Sequence, residues 1–200
     1  MALKINRRAD TGVGQQFYYS TVKNVKDTNP VLINASWAEF VAQTEIPDVR
    51  GELPLDEYLL AGTATRSAQK DGAAWTPACF AADSNRNDAG VSRMYGFAGD
   101  FDNDRGDHPI TGNFIRSKLQ SYIFCAHTTY SHSKTKEKWR LIVPFNGPVS
   151  PQKYATIFDH FNDLFFGALD PACKNPSHIF FFPSCPKDAL DLYVRILGNG

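Results

Sequence analysis

From position 15 to 25 the chain reads Gln-Gln-Phe-Tyr-Tyr-Ser-Thr-Val-Lys-Asn-Val, dense in aromatic and β-branched residues, which predicts a strand. Over 34–44 the spacing becomes helical: Trp37, Phe40 and Val41 share one face, with Asn34 or Ser36 as the cap. A looser helix is expected over 54–68, opened by Pro54, with Asp56 and Glu57 where the helix dipole favours acids. Lys70-Asp-Gly72 marks a turn, 76–80 a short strand or connector, and 82–92 a polar loop without periodicity. An apolar strand then runs up to Asp100 and is followed by a turn-rich stretch over 103–113. Residues 119–129 alternate as a strand, with Tyr122, Phe124 and Ala126 on one face and Ile123, Cys125 and His127 on the other. A polar connection of hairpin length leads to another strand over 139–145. The clearest element is a helix opened by Ser150-Pro151, striped by Tyr154, Ile157, Phe158, Phe161, Leu164 and Phe165, and stopped by Gly167. Its aromatic stripe is core. His178–Pro183 predicts a buried strand, and 190–197 a last strand or helix. Strand, strand, strand, helix, strand from position 95 onward implies an α+β domain, its sheet mostly antiparallel with helices on one face.

Two hundred residues suit one domain, or one with a small appendage. Lys plus Arg equals Asp plus Glu at 21 each, so contact with a nucleic acid requires a local patch rather than a basic coat. No apolar run is long enough for a membrane helix, and the first residues lack an apolar signal core, which predicts an intracellular protein. The four cysteines, Cys79, Cys125, Cys173 and Cys185, lack a Cys-x-x-Cys knuckle and are expected as small buried hydrophobes. There is no Gly-x-x-x-x-Gly-Lys phosphate loop, which excludes a motor ATPase in this chain, and no Gly-x-Ser-x-Gly elbow.

The candidate chemistry lies at Tyr95-Gly-Phe-Ala-Gly-Asp-Phe-Asp-Asn-Asp104. Residues two apart on a strand share a face, so Asp100 and Asp102 can reach one site, and Mg²⁺ suits one or two carboxylates plus substrate phosphates. A solvated acidic turn is the competing reading. A calcium-binding EF-hand loop starting at Asp100 fails, since Arg105 stands where its Gly belongs and Thr111 where its Glu belongs. The connection at 130–138 places His132 among Ser131, Ser133, Lys134, Lys136, Lys138 and Arg140, surroundings suited to a polyanion such as a triphosphate, or to a solvated basic tip. Arg86 is a phosphate ligand or an ordinary solvated cation. Asp170, held extended before Pro171, is a further metal ligand or the polar stop of a helix.

Asp100-x-Asp102, then Tyr130-Ser-His132 leading into Trp139-Arg-Leu-Ile-Val-Pro144, then Leu169-Asp-Pro-Ala172, occur in an order that resembles the archaeo-eukaryotic primase superfamily. The likeness is strongest to primase-polymerase domains of phages and plasmids. Ser36-Trp-Ala-Glu-Phe40, Lys70-Asp-Gly72 and Phe180-Phe-Phe-Pro-Ser184 add to it, and it spans about residues 34–186. The resemblance implies a single catalytic domain over 1–200, with an N-terminal α/β part over about 1–92 and a metal-binding part over about 93–200 like an RNA-recognition motif. It assigns Asp100, Asp102 and Asp170 to two Mg²⁺ or Mn²⁺ ions. It assigns His132 to the incoming nucleotide, and Ser131, Lys138, Arg140 and Arg86 are the further candidates to orient the triphosphate.

The implied activity is template-dependent nucleotidyl transfer, making or extending primers on single-stranded DNA. Its partners would be ribo- or deoxynucleoside triphosphates and a replicative helicase domain or subunit, in the cytoplasm of a bacterial or archaeal host. His178 departs from the basic residue expected ahead of the last aromatic strand, and no zinc-binding appendage is visible. Two other classes compete. A replication nickase would use Tyr18, Tyr19 or Tyr130, but the chain lacks the usual His-hydrophobe-His pair. A catalytically inactive nucleic-acid-binding replication module would keep the fold alone.

Overall fold

Alternation of apolar and small residues over 91–101 produces the strand on which the rest is built, and a computed structural model describes residues 15–104 and 108–200. The first fourteen residues, and Arg105 within the turn-rich stretch 103–113, lie outside the described residues. The N-terminal part contains β1 (Gln16–Val22), β2 (Val31–Ser36), α1 (Trp37–Ala42), β3 (Asp48–Val49), α2 (Leu55–Leu60), α3 (Thr63–Lys70), β4 (Ala74–Thr76) and β5 (Ala78–Phe80). The chain continues through β6 (Val91–Phe101), α4 (Gly112–Lys118), β7 (Ile123–Thr128), β8 (Trp139–Val149) and α5 (Pro151–Leu164). Short strands β9 (Phe180–Phe181) and β10 (Ser184–Cys185) precede β11 (Arg195–Asn199).

The α+β class with antiparallel sheets holds. The main sheet has the order β11-β7-β8-β6-β5, with every neighbouring pair antiparallel. From β6 the chain runs strand, helix, strand, strand, helix, a split β-α-β arrangement in which β8 inserts between β6 and β7. This corrects the expected order: α4 is a seven-residue helix inside a turn-rich stretch, too short to announce itself by periodicity, and capped by the Thr111 hydroxyl on the Phe114 amide.

Period-two alternation gives the main sheet two different faces. Phe97 and Phe101 point to the helices, stacking on Phe161 at 4.3 Å and meeting Phe165 at 4.8 Å, while Phe114 of α4 reaches Phe165 at 6.2 Å. The aromatic stripe of α5 is therefore core. The opposite face meets a second sheet, β2-β1-β4-β9, whose Phe17 and Trp75 are fully buried. Gly96 permits that approach: a Cβ there would stand 2.8 Å from the Phe17 ring and 3.1 Å from the Val143 carbonyl.

Other boundaries differ from the sequence reading for local reasons. Asn34 belongs to β2, paired with Tyr18, and the helix begins at Ser36, whose hydroxyl and Glu39 form a reciprocal capping box. The expected 54–68 helix is two, because Ala61 and Gly62 are extended between α2 and α3. Strand β8 continues past Pro144 and Gly147 to Val149, with a register shift between Met94 and Gly96 on its partner β6. Only Phe180–Phe181 of the expected 178–183 strand pairs, and β7 begins at Ile123 rather than Leu119. All four cysteines are free and buried.

Candidate active site

Asp100 lies opposite Arg140 in the β6–β8 register, and Arg140 lies opposite His127 in the β8–β7 register, so all three occupy one row on the face away from the helices. Arg140 grips Asp100 with two hydrogen bonds, Nε to Oδ1 at 2.7 Å and Nη2 to Oδ2 at 2.8 Å. Its Nη1 donates to the Phe181 carbonyl, and the guanidinium sits 4.9 Å from the Phe180 ring centroid. The two side chains keep only 9% and 19% of their surface exposed. Burial pushes the Asp100 carboxyl up, but the charge and hydrogen bonds of Arg140 outweigh it and hold it below the usual range. Burial likewise opposes the charge on Arg140, and Asp100 more than compensates.

Asp102 falls just past the end of β6 and is half exposed, its Oδ1 accepting from Lys138 Nζ at 2.9 Å. Lys136 binds Asp104, and Lys138 lies 3.8 Å from that same carboxylate. Asp170 caps a 3₁₀ turn at Pro171–Lys174, its Oδ1 accepting from the Ala172 amide at 3.1 Å. Its own N–H donates to the Asp100 carbonyl at 2.9 Å, which fastens the segment after α5 to the end of β6.

The consequence is a pocket of about 400 Å³ lined by Asp100, Asp102 and Asp170 together with Lys70 and Arg140. Ser131 joins its lining from the hairpin, Ser67 from α3, and His127 and His178 from β7 and the segment ahead of β9. Asp102 and Asp170 also share an adjoining recess of about 110 Å³ with Asp104 and Ala168. Of the candidate residues named from the sequence, the pocket gathers Asp100, Asp102, Asp170, Tyr130, Ser131, Arg140 and His178.

His132, Lys138 and Arg86 are not among its lining residues. His132 is fixed within the hairpin: its Nδ1 accepts from the Lys138 amide at 3.1 Å, and its ring meets Trp139 edge-on. Burial holds its pKa down, outweighing the attraction of Glu137. Arg86 donates to the Asp27 and Val25 carbonyls at 3.1 and 2.9 Å and so secures a loop whose Val25 reaches the pocket.

Nothing in the sequence alone assigns a role to Lys70, Ser67 or His127. Lys70 had a signal in its Lys-Asp-Gly turn, and burial pushes its pKa down. Alternation along 119–129 puts His127 on the face it occupies, but nothing local announces that this face opens into a cavity.

The donor set bears on a divalent ion. Two carboxylates and substrate phosphates suffice for Mg²⁺, and Asp102 with Asp170 sharing one recess fits that requirement. Asp100 lines the larger pocket with each oxygen already accepting one hydrogen bond from Arg140. Among the described residues no three His, Cys, Asp or Glu side chains stand together as a protein-only metal cage.

Fold and pocket together define an α+β protein with an acid- and cation-lined cavity where the central strands of an antiparallel sheet end. The family model of the VapE N-terminal domain matches residues 4–196, and the chain belongs to that family. The family is the N-terminal part of replication-associated VapE proteins of phages and plasmids, which gives the chain a replication-related context. No curated protein and no solved structure matches the chain. Among the described residues no helix is long and apolar enough to cross a membrane.

Proposed function

We propose that this chain is a template-dependent nucleotidyltransferase, a primase or primase-polymerase acting on single-stranded DNA in phage or plasmid replication. The observation that carries the reading is the meeting of acids from two separate segments, 100–102 and 170, in one pocket that also presents Lys70 and Arg140. A cavity lined by carboxylates alone would repel a triphosphate, and one lined by cations alone would repel a metal.

Asp102 and Asp170 would hold the divalent ion, Mg²⁺ or Mn²⁺. Bound there, such an ion would neutralise charge on the triphosphate and make an attacking 3′-hydroxyl more acidic. The protein's own part is positioning. Arg140, oriented by Asp100, keeps its guanidinium fixed toward the pocket, and Lys70, Ser67 and Ser131 offer further donors to phosphate oxygens. Lys70, partly desolvated, gains more from an anion than a fully hydrated lysine would. Little covalent work is asked of these groups, since phosphoryl transfer depends mainly on alignment and charge.

The test is incorporation of labelled nucleotide on a single-stranded template, with and without primer, in Mg²⁺ and in Mn²⁺. Metal-dependent incorporation that disappears in Asp102→Asn supports the reading. A covalent tyrosyl–DNA adduct would identify a nickase instead, and DNA binding with no incorporation under any condition would leave a binding module.

A further inference from the structure

His127 is 1% exposed, yet its Nε2 has no hydrogen-bond partner in the protein. Its Nδ1 lies 2.9 Å from the Thr128 carbonyl, which can only accept, so Nδ1 carries the proton. Burial keeps the ring neutral, with a pKa pushed down to about 4. Nε2 therefore presents a bare lone pair. The residue lines the same pocket as Arg140 and Asp100, its neighbours in the row across the sheet. Buried polar atoms are nearly always satisfied; this one is itself shielded from solvent, so a ligand that supplies the missing partner has to seat at the base of the cavity, against the ring.

The missing partner must be a donor. Phosphate oxygens only accept, so they belong with the donors of Lys70, Ser67, Ser131 and Arg140 and cannot be the partner of this lone pair. A nucleotide carries two kinds of uncharged donor, base N–H groups and ribose hydroxyls. A template-directed enzyme has to accept all four bases, and because their N–H groups sit at different ring positions a fixed acceptor reading one of them would bias it against the others. The ribose hydroxyls are common to all four.

On the nucleotidyltransferase reading, on which this rests, we propose that His127 is a specificity-determining residue whose Nε2 accepts a hydrogen bond from a ribose hydroxyl of the bound nucleoside triphosphate. A sugar lacking that hydroxyl leaves the lone pair buried and unpaired. A site built around such a bond discriminates against the analogue that cannot make it.

The experiment measures binding rather than turnover. ATP, 2′-deoxy-ATP and 2′,3′-dideoxy-ATP are titrated with Mg²⁺ against the wild-type chain and against His127→Leu, which replaces the orphan lone pair with an apolar side chain. Wild type is expected to bind at least one hydroxyl-bearing nucleotide about tenfold more tightly than the dideoxy compound, and the Leu variant is expected to bind all three alike. Comparing the first two nucleotides identifies which hydroxyl is read. The imidazole ¹⁵N resonance of His127 Nε2 in the wild-type protein is expected to move with the hydroxyl-bearing nucleotide and not with the dideoxy one, a readout that needs no variant to fold.

Equal wild-type affinity for all three, a preference that survives in His127→Leu, or an Nε2 resonance indifferent to the hydroxyl overturns this inference and leaves the nucleotidyltransferase reading intact. Failure of every triphosphate to bind wild type overturns that reading, and this inference with it.

Discussion

Asp100→Asn is the substitution whose consequence the structure specifies most narrowly. Asn retains an oxygen for Arg140 Nε, but its amide nitrogen then faces the Nη2 donor that Oδ2 accepted at 2.8 Å. Arg140 would be left a buried cation without a counter-charge, its remaining partners the neutral Asn oxygen, the Phe181 carbonyl and the Phe180 ring. Removing one member of a buried ion pair costs about 3–5 kcal/mol, because the survivor's desolvation is no longer offset. That is a large share of the ~5–15 kcal/mol that holds a domain folded. For a chain of this size it corresponds to a fall in Tm of roughly 6–20 °C.

The control is Asp102→Asn two residues away, where a carboxylate 45% exposed meets Lys138, and loss of such a pair is worth at most ~1 kcal/mol. Urea denaturation followed by circular dichroism reads both, and Asp100→Asn/Arg140→Met is expected to recover much of the loss by removing the stranded charge. The pair also sets an acid limit. Asp100 titrates below 3.8 when folded, so its contribution is complete above that pH, where the unfolded carboxyl is ionised too, and is lost as pH falls through the lower folded value. If Asp100→Asn unfolds at the same urea midpoint as Asp102→Asn, the assignment of Asp100 to Arg140 is wrong.

On the proposed reading, Asp102→Asn folds but incorporates nucleotide about a thousandfold more slowly or worse, a loss of ~4 kcal/mol of transition-state stabilisation, checked by primer extension. Gly96→Ala forces a methyl to within 2.8 Å of the Phe17 ring and is expected to cost about 1–3 kcal/mol, seen in urea midpoints and in near-ultraviolet dichroism of the aromatic core. His127 gives a pH signature of its own, in surroundings that include Arg140, Asp100 and Arg195. The folded ring stays neutral down to about pH 4 whereas an unfolded one protonates near 6.5, so between these values the unfolded state binds more protons and stability falls as pH drops. The loss reaches at most on the order of 3 kcal/mol, and His127→Leu is expected to reduce the slope of stability against pH across that window.

Much of this was legible because it depends on period and caps. The α5 stripe, the β7 alternation and the Ser36 cap follow from side-chain spacing and one hydroxyl, which act within a few residues. The break between α2 and α3 was not, since Gly62 takes an extended conformation that its neighbours tolerate without demanding. The spacing that puts Asp100 and Asp102 on one side was readable, and both reach the same pocket. Their different partners were not, because Arg140 is forty residues distant and its position opposite Asp100 is a matter of strand register. Arg86 shows the same limit from the other side: a polar-loop arginine is free to bind phosphate until the fold supplies two backbone carbonyls.

The location of the cavity follows from what the open face of the main sheet can tolerate. At its Gly96 end that face is apolar and small, and Phe17 of the second sheet closes on it. Two residues beyond Ala98 along β6 the same face carries Asp100 beside Arg140 and His127, and aromatic cover over three such groups would leave buried polar atoms without partners. Phe180 and Phe181 solve part of this by offering Arg140 a ring and a carbonyl, while the rest of the row borders the pocket. The two acids of the Asp-x-Asp spacing are thereby separated in role. The one inside the strand has its charge matched at close range and serves rigidity; the one past the strand end keeps one oxygen on Lys138 and half its surface in water, where, on the proposed reading, a cation arriving with a triphosphate would compete for it. A lysine at the rim is far easier to displace than an arginine held by three hydrogen bonds, so on the proposed reading Asp102 rather than Asp100 is the carboxylate whose loss should remove chemistry without removing the fold.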